Sequence, residues 1–545
     1  MAAKLLLALV LGSPFWHLGH PLWEVDDARY AEIPREMHEN GDWLTPRLNG
    51  MHYVEKPPLI YWLGAASYRV FGVGEAAARL PLALLTLLGL LGVWWLGSWL
   101  FTPETGRWSA IILGTCSEYF LLGHLLTPDM AVSVFLLWAT GLILRCLRRP
   151  EDAAWAAPLA WLAMALAFLS KGLIGLLLPG LWAALLFAFF PETRKGLKRL
   201  VLGWGPLLFL LPAGLWFWAL EGRHPGFFHH FIVEQHFWRF MTPAYNRPGP
   251  WYFFIGVDAA GTLPWTPLLL IASLLPWLRR RGADERVSQV ALWVALVFCF
   301  FSSSRSKLTT YILPMLPHQA LLGARLLSRL RAEDPSSEAT AALWLRRSAY
   351  SLSGLILCSI FAVPAVVERL GLPITPDPGL FSAAVLLLLC LSAAMACLGK
   401  ASLWPGGTVL LRAGALACVV NALFLFGSGF LTPMLSARDL AVDLRARLRE
   451  GDRVFSYGTY LHAVPFYARR RVDVIVNWVE ELHYAKRDPA FQDRFGDDDA
   501  LRRLRADGAR VFVVSRKREL SHLLTLPPRK ASEIRFFGDW ILAEF

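Results

Sequence analysis

The sequence has few cysteines, and none is spaced for metal binding or for a disulfide framework. Seven occur in 545 residues, Cys116, Cys146, Cys299, Cys358, Cys390, Cys397 and Cys418. All lie in or at the ends of apolar runs, which makes them small buried hydrophobes. Charge is also scarce: Asp, Glu, Lys and Arg make up 18% of the chain against 55% apolar residues, with 24 Trp and 34 Phe. That balance excludes an ordinary soluble globule. The chain shows no internal repeat of the transporter type and no low-complexity segment. No convincing small-residue cleavage site follows the first apolar run, which therefore counts as a membrane span rather than a signal peptide.

What is present is a succession of apolar runs long enough to cross hydrocarbon. They fall near residues 4–18, 77–101, 108–122, 130–147, 154–169, 172–190, 201–220, 253–278, 287–301, 310–327, 349–367, 380–398 and 409–430. The expectation is a polytopic α-helical membrane protein of about thirteen transmembrane helices. The net charge of +12 raises nucleic acid as a partner, but its distribution argues against it. Lys and Arg gather in alternate loops, at Arg145, Arg148 and Arg149; Arg194, Lys195, Lys198 and Arg199; Arg279, Arg280, Arg281 and Arg286; and Arg325, Arg329, Arg331, Arg346 and Arg347. The positive-inside bias makes those loops cytoplasmic. The amino terminus is then inside, and loops 20–76 and 221–252 are outside with everything after Leu431.

The stretch Trp23 to Trp62 is polar and charge-dense between two apolar runs. Asp26, Arg29 and Tyr30 stand at i, i+3 and i+4, so a helix there turns a carboxylate, a guanidinium and a phenol toward one place. Asn40-Gly41 is a favourable helix end, whereas Pro34 predicts a kink or a restart. Glu55-Lys56-Pro57-Pro58 follows, an acid and a base ahead of two prolines that fix an extended or helix-initiating backbone. Residues 57–71 are expected to lie flat in the interface, with Tyr61, Trp62, Tyr68 and Phe71 at headgroup depth.

Further polar residues recur on the same side. In Thr127-Pro128-Asp129 either polar residue can simply cap the next helix. Lys171 breaks the positive-inside pattern: it either snorkels or faces a cavity as a phosphate ligand. Loop 221–252 holds His224, His229, His230, Glu234, His236, Arg239, Tyr245 and Arg247. The His229 to His236 spacing fits no compact zinc motif, and solvated surface is the plainer account of any single histidine. Arg305 and Lys307, among hydroxyls at a helix entrance, suit an anionic headgroup or serve as interfacial anchors. Beyond Leu431 the pattern changes to an amphipathic helix at 437–450, short strands at 453–457, 472–476 and 510–514, a helix at 498–506 and a terminal hairpin turning at Gly538-Asp539. That predicts a small C-terminal α/β domain over 432–545, without a catalytic motif, after a membrane domain over 1–431.

These residues resemble a known family. Asp26-Asp27-Ala28-Arg29-Tyr30-Ala31-Glu32, Gly41-Asp42-Trp43, Glu55-Lys56-Pro57-Pro58-Leu59 with Tyr61-Trp62, and Lys307-Leu308-Thr309-Thr310-Tyr311-Ile312-Leu313-Pro314 are similar to the bacterial aminoarabinose lipid A transferases. Those belong, with the protein O-mannosyltransferases, to the GT-C class, which uses polyprenyl-phosphate sugars. The resemblance implies an inverting transfer of 4-amino-4-deoxy-L-arabinose from undecaprenyl phosphate to lipid A on the periplasmic face of the inner membrane, giving resistance to cationic antimicrobial peptides. It makes Asp26 the essential first-loop acid and Asp129 a second external acid. Arg29, Tyr30, Lys56, Lys171 and Tyr311 fall on the donor-phosphate side, and Glu55 and His236 match positions that could share a divalent ion. Asp27 where the family more often has Glu, Pro34, and Thr309 in place of a common proline are departures that leave the sugar open.

The chemistry agrees with the residue types. A departing polyprenyl phosphate needs fixed cations, for which Lys56 is the first candidate, with Lys171, Arg305 or Lys307 beside it. Asp26 acts as a general base if a hydroxyl attacks, and positions a substrate if an already ionised phosphate attacks. The nearest alternative is a GT-C relative that moves another sugar, such as mannose, to protein or another envelope glycan. A transporter or flippase would place its ionisable residues near midmembrane, whereas here they stand at the external ends of spans.

Overall fold

The computed structural model describes residues 1–545 apart from 239–240, 242–248, 279–283, 331–338, 370–377, 402–407, 479–481, 501–502, 504–509 and 526–530. Arg279, Arg280, Arg281, Arg331, Arg239, Tyr245, Arg247 and most of the helix expected over 498–506 lie outside the described residues. Among the described residues six helices are long and apolar enough to cross a membrane: Glu75–Leu100, Pro128–Arg148, Pro150–Lys171, Gly205–Arg223, Glu285–Ser303 and Leu410–Gly427. The pair Ile174–Phe189 and Pro191–Leu202, bent by 117°, makes seven if it is one span. Shorter apolar helices are Ala2–Phe15, Thr266–Leu278 and Val385–Lys400. This is a multi-pass membrane protein.

Several apolar runs are divided, which hydropathy does not register. Residues 108–122 break at Cys116, whose extended backbone separates Pro103–Thr115 from Ser117–Leu122. The run at 310–327 opens as a 3-10 turn, Thr309–Met315, and becomes α-helical only at Leu316–Leu330. Pro314 lies inside that turn and has no amide to donate to a helical ladder.

The first loop forms the helix Asp26–Asn40, with Asp26 and Asp27 in the first turn, where the helix dipole favours acids. It ends at Gly41 in the left-handed conformation, at φ 71°. Contrary to expectation it runs through Pro34 without restarting. The proline ring packs on Gly64 of the next helix, Leu59–Phe71, where an added Cβ would lie 2.8 Å from the Pro34 side chain. That second helix buries one face against the first and leaves Ala66, Arg69, Val70 and Phe71 exposed. Tyr61 and Tyr68 are enclosed, and the Tyr68 hydroxyl donates to the Ala31 carbonyl at 3.0 Å. Phe71 alone of the expected aromatics is fully exposed.

After Leu431 the chain forms a six-stranded sheet. Its strands are β3 (Arg453–Tyr457), β4 (Val474–Val476), β5 (Phe495–Gly496), β6 (Val511–Arg516), β7 (Glu533–Phe537) and β8 (Trp540–Glu544). A two-residue ladder, β1 (Arg47–Leu48) with β2 (Met51–His52), lies in the first loop. The sheet order is β5-β4-β3-β6-β8-β7. The strands β5, β4, β3 and β6 run parallel, and β8 is antiparallel to β6 and β7. Fully buried Val and Phe side chains fill β3, β4 and β6, as parallel strands covered on both faces require.

His52, His224 and the carboxy-terminal segment meet in one joint. The two imidazoles stand edge to face at 4.5 Å, with Phe491 against His52 and Asp488 3.5 Å from its Nδ1. His224 Nε2 contacts the Thr45 hydroxyl at 3.0 Å. Burial, then His224 and Arg47, push His52 down to about 4, and Asp488 opposes this. The folded state thus binds fewer protons here than the unfolded chain does below pH ~6.5. The melting temperature should fall as pH drops from about 6.5 toward 4. His52→Gln should flatten that slope, as read by thermal melts of the purified protein.

Candidate functional site

One cavity of about 810 Å³ gathers most of the charged residues singled out in the sequence. Asp26, Arg29 and Tyr30 reach it from the first-loop helix, Glu55 and Lys56 from the Pro-Pro turn, and Asp129 from the start of Pro128–Arg148. Lys171 comes from the last residue of Ala153–Lys171, and Tyr311 from the 3-10 turn. Much of the rest of the wall is apolar, with Leu122, Leu125, Leu173, Ile174, Leu177, Phe237, Phe300 and Phe301, and hydroxyls of Ser304, Ser306, Thr309 and Thr310 stand near Tyr311 in the chain. A charged end on an apolar trough suits a lipid with an ionic head.

Two acids in the cavity are each matched to a cation. Asp26 pairs with Arg29 one helical turn on, and Asp129 pairs with Lys171. Asp129 is therefore held by Lys171, and Thr127, although at the N-cap, makes no side-chain capping bond. The Lys171 ammonium also stands 4.8 Å from the Tyr311 ring centroid, a cation–π contact. Arg29 lies 5.3 Å from the Tyr30 ring, and Tyr30 stacks on Tyr61 at 5.8 Å. Burial raises the Tyr30 phenol well above its ordinary value, which leaves it a hydrogen-bond donor at neutral pH. The lining carries three carboxylates and three cations, so an entering anion meets fixed positive charge without a large net field.

Other expected residues stand elsewhere. Lys307 is turned inward: its ammonium donates to the Ser302 carbonyl at 2.9 Å and to that of Ser304, capping the end of Glu285–Ser303, where last-turn carbonyls have no helical partner. Arg305 is exposed and outside the cavity lining. In the second loop, His230 bonds Glu234 at 2.8 Å, and Arg487 donates to Glu234 at 3.0 Å, so this acid and histidine fasten the loop to the carboxy-terminal segment. The side chain of His236 lies outside the described residues. Among the described residues no three His, Cys, Asp or Glu side chains are grouped to hold a metal ion. Those described here therefore do not make a metal centre by themselves.

Two contributors escaped the sequence reading. Gln235 is on the cavity wall, in a π-helical stretch, His229–Trp238. Its wider turn shifts side chains out of the 3.6-residue phase that sequence reading assumes. Arg79 is fully buried inside an apolar span and pairs with Asp27. It also donates to the carbonyls of Leu18 at 2.9 Å, His20 at 2.5 Å and Pro21 at 3.2 Å. Asp27 accepts in addition from the amides of Trp23 at 3.1 Å and Leu126 at 3.0 Å. One carboxylate thereby ties the helix of Asp26 to the segment that leads into Asp129. A lone arginine in an apolar run was the available signal.

A helical membrane bundle with acid–cation pairs around an amphipathic cavity at the end that carries its first loop has the GT-C fold of integral-membrane glycosyltransferases. Among the solved proteins it matches in fold is ArnT from Cupriavidus metallidurans, crystallised bound to undecaprenyl phosphate, with a TM-score of 0.83 and 24% identity over 99% of this chain and 97% of that one. The same protein in its apo state gives 0.81. Residues 55–218 match the family described as dolichyl-phosphate-mannose-protein mannosyltransferase. The resemblance carried by the motifs is matched by relatives named undecaprenyl phosphate-alpha-4-amino-4-deoxy-L-arabinose arabinosyl transferase. That of Pseudomonas aeruginosa is 34% identical over 323 residues, 57% of each chain, and that of Aeromonas salmonicida 31% over 359 residues, 64% of this chain and 62% of its own. Transferase 2 of Sodalis glossinidius is 32% identical over 316 residues, 56% of this chain and 55% of its own. The matches thus span a little over half the length of these curated relatives.

Removing the guanidinium that Asp27 faces leaves a carboxylate buried without its counter-ion, at a cost of about 3–5 kcal/mol. Arg79→Ala should lower stability by about that amount. Chemical denaturation in detergent, compared with the parent chain, measures it.

Proposed function

We propose that this chain is an inverting glycosyltransferase that moves 4-amino-4-deoxy-L-arabinose from undecaprenyl phosphate to a lipid A phosphate, giving resistance to polymyxin-like cationic peptides. The observation that carries the reading is the pairing of Asp26 with Arg29 and Asp129 with Lys171 at the polar end of an apolar cavity, in the fold of a protein crystallised with undecaprenyl phosphate. The polyprenyl tail lies along the apolar wall. Its phosphate is met by Lys56, Arg29 and Lys171, with the Tyr30 phenol and Tyr311 beside them. The bond from the anomeric carbon to the donor phosphate breaks as the acceptor oxygen bonds the opposite face. Undecaprenyl phosphate departs as a monoester, whose growing charge the cations stabilise. A lipid A phosphate arrives already ionised and needs no base, so Asp26 orients the reacting groups and stabilises positive character at the anomeric carbon. With a hydroxyl acceptor Asp26 is the general base.

In this reading the chain crosses the bacterial inner membrane about thirteen times, with its amino terminus in the cytoplasm. Loops 20–76 and 221–252 and the domain 432–545 are periplasmic. The proposal extends to a divalent ion shared by Glu55 and His236, supported by the place of Glu55 on the cavity wall. A second reading, transfer of another polyprenyl-phosphate sugar to protein, is favoured by the mannosyltransferase match over residues 55–218.

The test is the mass of lipid A from a host that supplies the aminoarabinose donor. The parent chain should add an aminopentose to lipid A, and Asp26→Asn should reduce the product at least about 100-fold at equal membrane abundance. Unmodified lipid A beside folded parent protein would move the reading to the second substrate pair. Dialysis of the purified enzyme against EDTA should abolish transfer, and a divalent cation should restore it. Full activity after chelation would remove the ion.

A further inference from the structure

The carboxy-terminal sheet grips the stretch that carries Asp26. Glu24, two residues earlier, buries its carboxylate against the turn that follows β3, where it accepts from the amides of His462 at 2.9 Å and Ala463 at 2.8 Å. Its own amide donates to the Leu435 carbonyl at 2.7 Å, and the Leu22 amide donates to the Tyr467 hydroxyl at 2.9 Å. Beyond the far end of the first-loop helix, in the turn between β1 and β2, Asn49 makes a reciprocal pair of bonds with the backbone of Val472, both at 2.9 Å. Between these ends Glu36 takes Arg471 at 3.3 Å and Glu39 takes Arg469 at 3.1 Å. The helix is thus held along one side, and the chain is held just before it and again in the turn beyond it.

The position of the grip is informative. The chain leaves β3 for β4 on one side and returns to β6 on the other, so the turn after β3 lies at the point where the strand order reverses. Open α/β sheets hold their ligands beyond the carboxyl ends of the strands at that point. What occupies it here is the carboxylate of Glu24. With only 4% of its side chain exposed, this acid is out of water, and a buried charge is retained only where polar partners compensate it.

We propose that the carboxy-terminal sheet is a clamp on the catalytic helix, with Glu24 the positioning residue through which it sets Asp26 and Arg29 against the cavity. This rests on the reading of Asp26 and Arg29 as parts of a glycosyl-transfer site. The full-length protein in detergent tests it by hydrogen exchange, melting and transfer kinetics with undecaprenyl-phosphate aminoarabinose and lipid A. Glu24→Ala should speed exchange in residues 26–33 and 459–466 and lower kcat by about 10- to 100-fold, the scale of a small misplacement of reacting groups. Glu24→Gln, whose amide oxygen keeps one of the two bonds while its NH2 faces the other backbone N–H, should recover only part of that rate, with exchange in residues 26–33 intermediate between parent and Glu24→Ala. Should Glu24→Ala melt out, Arg471→Ala takes its place, with faster exchange near Glu36 and a kcat reduced several-fold. Unchanged exchange in residues 26–33, or faster exchange with parental kcat, would overturn the clamp. If the parent chain itself transfers nothing, the activity reading fails. Exchange alone then decides: protection lost in Glu24→Ala supports the clamp, and protection kept overturns it.

Discussion

The site depends on a carboxylate and a guanidinium that share no water. Asp27 and Arg79 are both fully buried, and each also bonds backbone from elsewhere in the chain. Charges removed from solvent tolerate little displacement, because any shift leaves a donor or acceptor unmet at low dielectric. The first-loop helix is consequently fixed to the span that holds Arg79 and to the segment entering Asp129. Asp26 and Asp129, distant in sequence, inherit their relative placement from this pair. The neighbouring Asp26 is left to face the cavity, so two adjacent acids divide structure and chemistry between them.

What was legible in the sequence was local. The spacing of Asp26, Arg29 and Tyr30 needed only the period of a helix, and all three do face one cavity. Short apolar runs placed β3, β4 and β6 of the terminal sheet, and Gly41 ended the first-loop helix where a left-handed residue is required. What was not legible depended on contacts distant in the chain. Pro34 reads as a break until Gly64 is seen to receive its ring. Lys307 reads as a ligand because the carbonyls that take its ammonium, Ser302 and Ser304, look from sequence like ordinary helix. Glu24, Glu36 and Glu39 carry no signal in the sequence, because their partners in the terminal segment are more than four hundred residues away.

The cavity is built from modest parts. Two of its acids are already matched to cations, which lets them stay charged beside an apolar wall. The helical bundle supplies the trough for a tail, whereas the loops supply the polar end. Precision comes from rigid supports behind the loops, the Asp27–Arg79 pair on one side and the sheet on the other.

The matched pairs have a consequence for turnover. A sugar-bearing polyprenyl phosphate is a diester with a single negative charge, whereas the lipid that remains after transfer is a monoester approaching two at neutral pH. A pocket whose Lys171 must loosen from Asp129 to take up an anion is repaid more by the second species than by the first. Under the proposed transfer the spent carrier is therefore the better ligand, and its departure into the bilayer becomes a step that the surrounding lipid composition can govern.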